Sequence, residues 1–133
     1  MATPSVLIDT SIIIEHLRKQ NRAKSILYNV VDGYNLYIST VVEFELYAGA
    51  TDASKRRDIQ EILTWCVVLP FTSDVAQVAA TIYQQLKAKN QLIEIRDILI
   101  GATAVTRDLP LMTLNVGHFS RIEQLQFLSP PQI

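Results

Sequence analysis

The chain has a single cysteine, Cys66, among its 133 residues. That excludes an internal disulfide, and a lone thiol points to a reducing compartment, expected to be the cytoplasm. Between Trp65 and Val67, the cysteine reads as a small buried apolar residue. Long hydrophobic runs are missing too. No stretch approaches the ~20 residues of a membrane span, and Met1 to Ser5 lacks the basic start and apolar core of a secretory leader. An excess of charge of one sign is also absent. The formal net charge is -1, so bulk electrostatics gives no attraction to nucleic acid, and a reader of phosphates would need a local basic patch. Repeats, low-complexity tracts and linkers are absent, and one domain spanning residues 1–133 around one core is expected.

What is present is apolar bulk. Hydrophobic residues make up 49% and charged residues 19%, which suits a sheet buried on both faces or an oligomer interface. Ser5-Val-Leu-Ile-Asp9 reads as a buried strand ending in an acid. Thr10 and Ser11 can cap a helix through Ile14, Leu17 and about Lys24, and a second helical stretch reaches Val31. Asp32-Gly33 is a turn and 36–39 a strand. Thr40 and Glu43 have capping-box spacing for a helix to about Ala50. A helix over 55–64, a strand over 66–69 and an amphipathic helix over 74–89 follow. The last shows Val75, Val78, Ala79, Ile82 and Leu86 on one face. A helix over 93–107 and a strand over 109–114 come next, and Phe127 to Pro131 suggests an edge strand stopped by prolines. Strands alternating with helices predict an α/β fold with a mainly parallel sheet, whose site lies at the carboxyl ends of the strands.

Asp9 and Asn115 each follow an apolar strand, so both are expected at that rim. Asp9 has two readings, an N-cap or a functional carboxylate; Thr10 and Ser11 can cap without a charge. Glu43 is explained by the capping box. Glu45 lies about 200° around the helix from it, among Val41, Val42, Ala48 and Gly49, where a carboxylate needs a partner. A metal is one such partner and an arginine salt bridge the other. Asp97 shares a helix face with Gly101 and Ala104, small residues that let a helix pack closely on a sheet. It reads as an inward-facing acid or as a favourable charge in a first helical turn, and Glu94 lies one turn before it. Three acids together repel one another, and a hard divalent cation relieves that. Oxygen ligands, without a second cysteine or paired histidines, select Mg²⁺ or Mn²⁺ over Zn²⁺.

Four stretches carry a resemblance: Val6-Leu-Ile-Asp-Thr-Ser11, Ile38-Ser-Thr-Val-Val-Glu-Phe-Glu-Leu-Tyr-Ala-Gly49, Asp97-Ile-Leu-Ile-Gly-Ala-Thr-Ala104 and Leu111-Met-Thr-Leu-Asn-Val-Gly-His-Phe119. Each is a loose motif, but their order and spacing are specific, and they span nearly the whole chain. The sequence resembles the PIN domain, in particular the toxin nuclease of VapBC-type toxin–antitoxin pairs. The resemblance implies a PIN-like α/β/α sandwich with a sheet of four to five strands. It also implies a metal-dependent endoribonuclease in which Mg²⁺, or Mn²⁺ in its place, activates water. The family's acids map to Asp9, Glu45 and Asp97 as metal ligands, and its fourth polar position to Asn115, an amide that adds no charge. Thr10 and Thr113 fall where the family has hydroxyls near the metal. His118 stands where some relatives carry an acid; it reads as packing beside Phe119 rather than as a proton donor. His16, between Glu15 and the basic Arg18, reads as a solvent-facing helix residue. Arg96, adjoining Asp97, is the first candidate for a substrate phosphate contact. The implied partners are RNA, a cognate VapB-type antitoxin whose tail covers the acidic pocket, and a second copy in a homodimer; no membrane is implied.

Two other readings compete. A haloacid-dehalogenase-type phosphatase also begins with a strand and an aspartate, but it needs a second Asp where this chain has Ser11. A catalytically weak PIN-like module that binds RNA or protein is left open by Asn115 and opposed by the three intact acids.

Overall fold

The computed structural model describes residues 2–132; Met1 and Ile133, the ends of the expected 1–133 domain, lie outside the described residues. Four strands pair in parallel, β1 (Ser5–Ile8), β2 (Asn35–Ser39), β3 (Cys66–Leu69) and β4 (Leu111–Met112), in the order β3-β2-β1-β4. Parallel neighbours need crossovers, and helices supply them. These are α1 (Thr10–Arg18), α2 (Ile26–Val30), α3 (Thr40–Gly49), α4 (Ala53–Leu63), α5 (Ser73–Ala88) and α6 (Ile95–Thr106), and a last helix, α7 (Val116–Phe119), follows β4. The expected α/β architecture holds, with four strands. α1 packs on α2 and α3, α3 on α4, and α5 on α6. β1 is central, and Val6, Leu7 and Ile8 have no exposed surface, as a strand covered on both faces requires. No helix among the described residues is long and apolar enough to cross a membrane.

The chain leaves β1 toward β2 and returns to β1's other edge through β4. The point where the strand order reverses, between β1 and β4, is where open parallel sheets form a crevice. Asp9 follows β1 there, and its N–H donates to the Met112 carbonyl at 3.0 Å.

Several boundaries differ from the sequence reading for local reasons. α1 stops at Arg18 rather than near Lys24, because Asn21 accepts from the Ala23 N–H and opens a short 3₁₀ turn at Arg22–Lys24. β4 is two residues long instead of six. Pro110 offers no N–H at its start, and the N–H groups of Leu114 and Asn115 donate to the hydroxyls of Ser11 and Thr113 instead of to a neighbouring strand. Phe127 makes only an isolated parallel bridge to Leu111. α7 was not anticipated; it is a single turn after Asn115.

Thr40 does not cap α3. Ser39 does, its hydroxyl accepting from the Val42 N–H at 3.2 Å, so Glu43 sits one position beyond a capping box. His16 is a further correction. It is buried, its Nδ1 lies 2.6 Å from the Ser25 hydroxyl and its ring meets Trp65 edge-on; burial, chiefly, holds its pKa below the usual histidine range. Gly101 does not serve the sheet. A Cβ there would come within 2.6 Å of Ile122, so it admits the C-terminal segment against α6. α5 and α6 end in left-handed Asn90 and Asp108. In each, the next N–H reaches back to close the helix, Gln91 to the Leu86 carbonyl and Leu109 to the Ala104 carbonyl, a Schellman ending made without glycine.

Moving the cap by one residue is measurable. Ser39→Ala lowers unfolding stability by about 1 kcal/mol, whereas Thr40→Ala leaves it nearly unchanged. Urea denaturation of the two variants compares them directly.

Candidate active site

Asp9 stands at the backbone position of an N-cap of α1, but its side chain makes no capping bond. Its carboxylate is fully buried and turned toward the crevice. Oδ2 accepts from the Ser11 and Thr113 hydroxyls, both at 2.9 Å. Those hydroxyls are aimed by backbone: Leu114 N–H donates to Ser11 Oγ at 3.0 Å, and Asn115 N–H to Thr113 Oγ1 at 2.9 Å. Each hydroxyl accepts from an amide and is left to donate to the acid. Oδ1 has no hydrogen-bond partner. A buried carboxylate oxygen left bare is costly, and it marks the place where a cation is wanted.

The nearest cation is Arg96, in the first turn of α6. Its guanidinium lies between three acids. Nε and Nη2 grip Glu45 in a fork, at 2.5 and 2.7 Å. Nη1 donates to Oδ1 of Asp97. Nη2 comes within 3.5 Å of Asp9 Oδ1, close enough to share charge but without hydrogen-bond geometry. Thr10 completes the ring, donating to Glu45 at 2.7 Å and accepting from Arg96 at 3.3 Å. Arginine, one of the two partners open to Glu45, is in direct hydrogen-bond contact with it.

The two acids flanking Arg96 respond in opposite ways. Burial pushes Glu45 up, but the Arg96 and Thr10 hydrogen bonds outweigh it, and its pKa falls below the ordinary glutamate value. Asp97 is almost fully buried. Burial first, then the charges of Asp9 and Glu94, raise its pKa despite the pull of Arg96 and His118. Arg96 is held still more firmly protonated, chiefly by its bonds to Glu45.

The structure thus brings Asp9, Glu45, Asp97, Arg96, Thr10 and Thr113 into one network. Asn115 is at its rim; it is exposed and enters through its backbone N–H. Glu94 is exposed and acts on Asp97 only through space. His118 does not pack inward: its side chain is 61% exposed and its Nδ1 lies 3.6 Å from Asp97 Oδ2. Ser11 was missed as a ligand of Asp9, because a Ser two residues after an acid before a helix looks like capping chemistry.

Among the described residues, no three acid, His or Cys side chains converge into a ready-made metal cage; the arginine keeps the acids apart. The donor set nonetheless suits Mg²⁺, which takes one or two carboxylates and fills its octahedron with water and substrate oxygens. The bare Oδ1 of Asp9, with Asp97 across the fork, supplies such a pair.

A profile of the PIN domain family matches residues 6–125. The chain belongs to the PIN domain family. Ribonuclease VapC10 of Mycobacterium tuberculosis is 36% identical to it over 121 residues, covering 91% of this chain and 90% of that protein. Among solved structures, VapBC-1 from nontypeable Haemophilus influenzae is similar at a TM-score of 0.81 and 26% identity, covering 94% of this chain and 97% of the other. VapBC2 from Rickettsia felis, bound to a DNA fragment from their promoter, is similar at a TM-score of 0.83, covering 96% of this chain and 99% of the other; at 19% identity that likeness concerns the PIN fold alone.

The opposed shifts predict opposed substitutions. A lowered pKa contributes stability above the unfolded value that is lost as pH falls through the folded one. A raised carboxyl pKa costs stability as pH rises through it. In metal-free buffer at neutral pH, Glu45→Gln therefore lowers the Tm and Asp97→Asn raises it. The Asp97 difference fades as pH falls toward about 4, where the unfolded carboxyl protonates, whereas the Glu45 difference persists to about that pH and is lost below it. Thermal unfolding of both variants across that range checks the signs.

Proposed function

We propose that this PIN domain is a metal-dependent endoribonuclease and the toxin of a toxin–antitoxin pair. The observation that carries the reading is the buried Asp9 carboxylate, with one oxygen anchored by two hydroxyls and the other bare, facing Asp97 across the crevice. The kinship to proteins named ribonuclease VapC and to VapBC complexes supports it.

Asp9 and Asp97 would hold Mg²⁺ or Mn²⁺, with Glu45 contributing directly or through water. When bound, the ion lowers the pKa of water and offsets charge building on the phosphate. The protein supplies the geometry. Ser11 and Thr113 anchor Asp9 in place, and the Thr10 hydroxyl helps to hold Glu45 ionised. Asn115, at the open rim, orients an incoming phosphodiester or water by its amide. Arg96 is the cation closest to the reacting position, and Arg18 and Lys19 line a shallow groove with Ser11 and Asn115, where they contact flanking phosphates. A net charge of -1 suits this arrangement, because the attraction is local.

A second groove, of about 550 Å³, runs between α1, α3 and α4, with Ile14, Leu17, Leu46 and Ile59 along it and Thr10 and Glu45 at one end. It suits the apolar tail of a VapB-type antitoxin that reaches the acids. Phe44 on α3 is 71% exposed and Val67 on edge strand β3 is exposed as well, a surface suited to a second copy in a homodimer. The reading places the protein in the cytoplasm, where Cys66 stays reduced; burial pushes that thiol's pKa up to about 12, so it is inert.

Cleavage of RNA by the purified protein with Mg²⁺ or Mn²⁺ is the test. Asp9→Ala and Asp97→Ala each lose about two or more orders of magnitude in rate. Thr113→Val, which keeps every acid, lowers the apparent metal affinity by about 10- to 100-fold. A wild-type protein that cleaves nothing, or alanine variants that cleave as well as it does, would falsify the assignment.

A further inference from the structure

The guanidinium of Arg96 contacts both carboxylates assigned to the metal. It donates to Asp97 Oδ1 and stands 3.5 Å from Asp9 Oδ1. One guanidinium thus engages one oxygen of each acid. Asp9 Oδ2 is taken by Ser11 and Thr113, and His118 Nδ1 stands 3.6 Å from Asp97 Oδ2. An ion held by Asp9 and Asp97 would need carboxylate oxygens that Arg96 now engages. A divalent charge and a guanidinium that close also repel one another strongly.

We infer that Arg96 is an internal counter-ion that a divalent metal must displace from between Asp9 and Asp97. The inference rests on the metal site proposed above. It accounts for two features together. The arginine neutralises the acids in the metal-free protein, so the fold need not wait for a metal. It also leaves Asp9 Oδ1 without a hydrogen bond, so this oxygen gains most when a harder ligand arrives. Deprotonation offers the arginine no escape, since guanidinium keeps its charge in proteins; it has to move. It has a route, because its side chain is 28% exposed and the neighbouring Glu94 and Ile95 are exposed at the start of α6. Once out of the pocket, the fork regains the free donors that a phosphate takes up in pairs. Metal entry and exposure of the phosphate-binding group are then one event.

The experiment is Mn²⁺ titration of the full chain by calorimetry, without RNA, for wild type, Arg96→Gln, Arg96→Lys and Asp9→Asn. Because the wild type is competent for metal only in the fraction with Arg96 displaced, Arg96→Gln binds Mn²⁺ about tenfold more tightly or better. It also shows a larger Mn²⁺-induced rise in Tm. Arg96→Lys keeps the charge but loses the fork, and binds with intermediate affinity. If removal of the guanidinium leaves three unpaired acids that prevent folding without metal, Arg96→Lys decides alone: tighter binding than wild type supports the competition, and equal or weaker binding overturns it. Equal affinity of wild type and Arg96→Gln, with binding lost in Asp9→Asn, overturns the competition and leaves the metal site standing. Binding by Asp9→Asn as strong as wild type removes the metal site itself, and the inference with it.

Discussion

Asp9 is a carboxylate with no exposed surface, placed at the end of the central strand of a buried sheet. Water cannot solvate it there, and an uncompensated charge in such a place would be prohibitive. Much of the local architecture answers that constraint. Two hydroxyls donate to one of its oxygens, and each hydroxyl is aimed by a backbone amide of the turn after β4. That use of the amides is what ends β4 after two residues and starts α7. Compensation on the other side comes from a guanidinium carried by α6, from across the crevice. A strand end, two turns and two helix starts are tied together by one buried charge.

Arg96 divides the remaining acids by their degree of burial. Glu45 is only partly covered and receives a full bidentate fork, so it is held ionised. Asp97 is nearly enclosed and close to Asp9, so the same arginine does not offset its desolvation. A site of this kind stores unfavourable charge in the resting protein, as functional sites commonly do at the expense of stability. The surrounding fold supplies the reserve: an apolar sheet interior, α5 and α6 closed by Schellman endings, and Ile122 seated against Gly101.

A good part of this was legible in the residues. Apolar runs ending in an acid located β1 and the rim. The offset between Glu43 and Glu45 separated the acid that joins the network from the one that does not, and the helix-face argument left arginine as one of Glu45's two partners. The errors share a cause. Thr40 looked like the cap because its spacing to Glu43 fits, but the backbone turned one residue earlier, at Ser39. His16 looked solvent-facing from its charged neighbours in sequence, whereas its neighbours in space are Ser25 and Trp65. Ser11 looked like a cap because its partners lie more than a hundred residues away, at Thr113 and Leu114.

What the sequence by itself determined is the set of elements and the residues able to carry charge chemistry at their ends. Hydrophobic period and strand–helix alternation are local properties, and the four ordered motifs that announce the PIN domain can be read without coordinates. What only the tertiary structure decided is which charges meet. Arg96 and Asp97 are adjacent in the chain, but Glu45 and Asp9 reach the same guanidinium from separate elements. Whether an arginine faces solvent, a phosphate or three carboxylates depends on the reversal of strand order between β1 and β4, which no local pattern encodes.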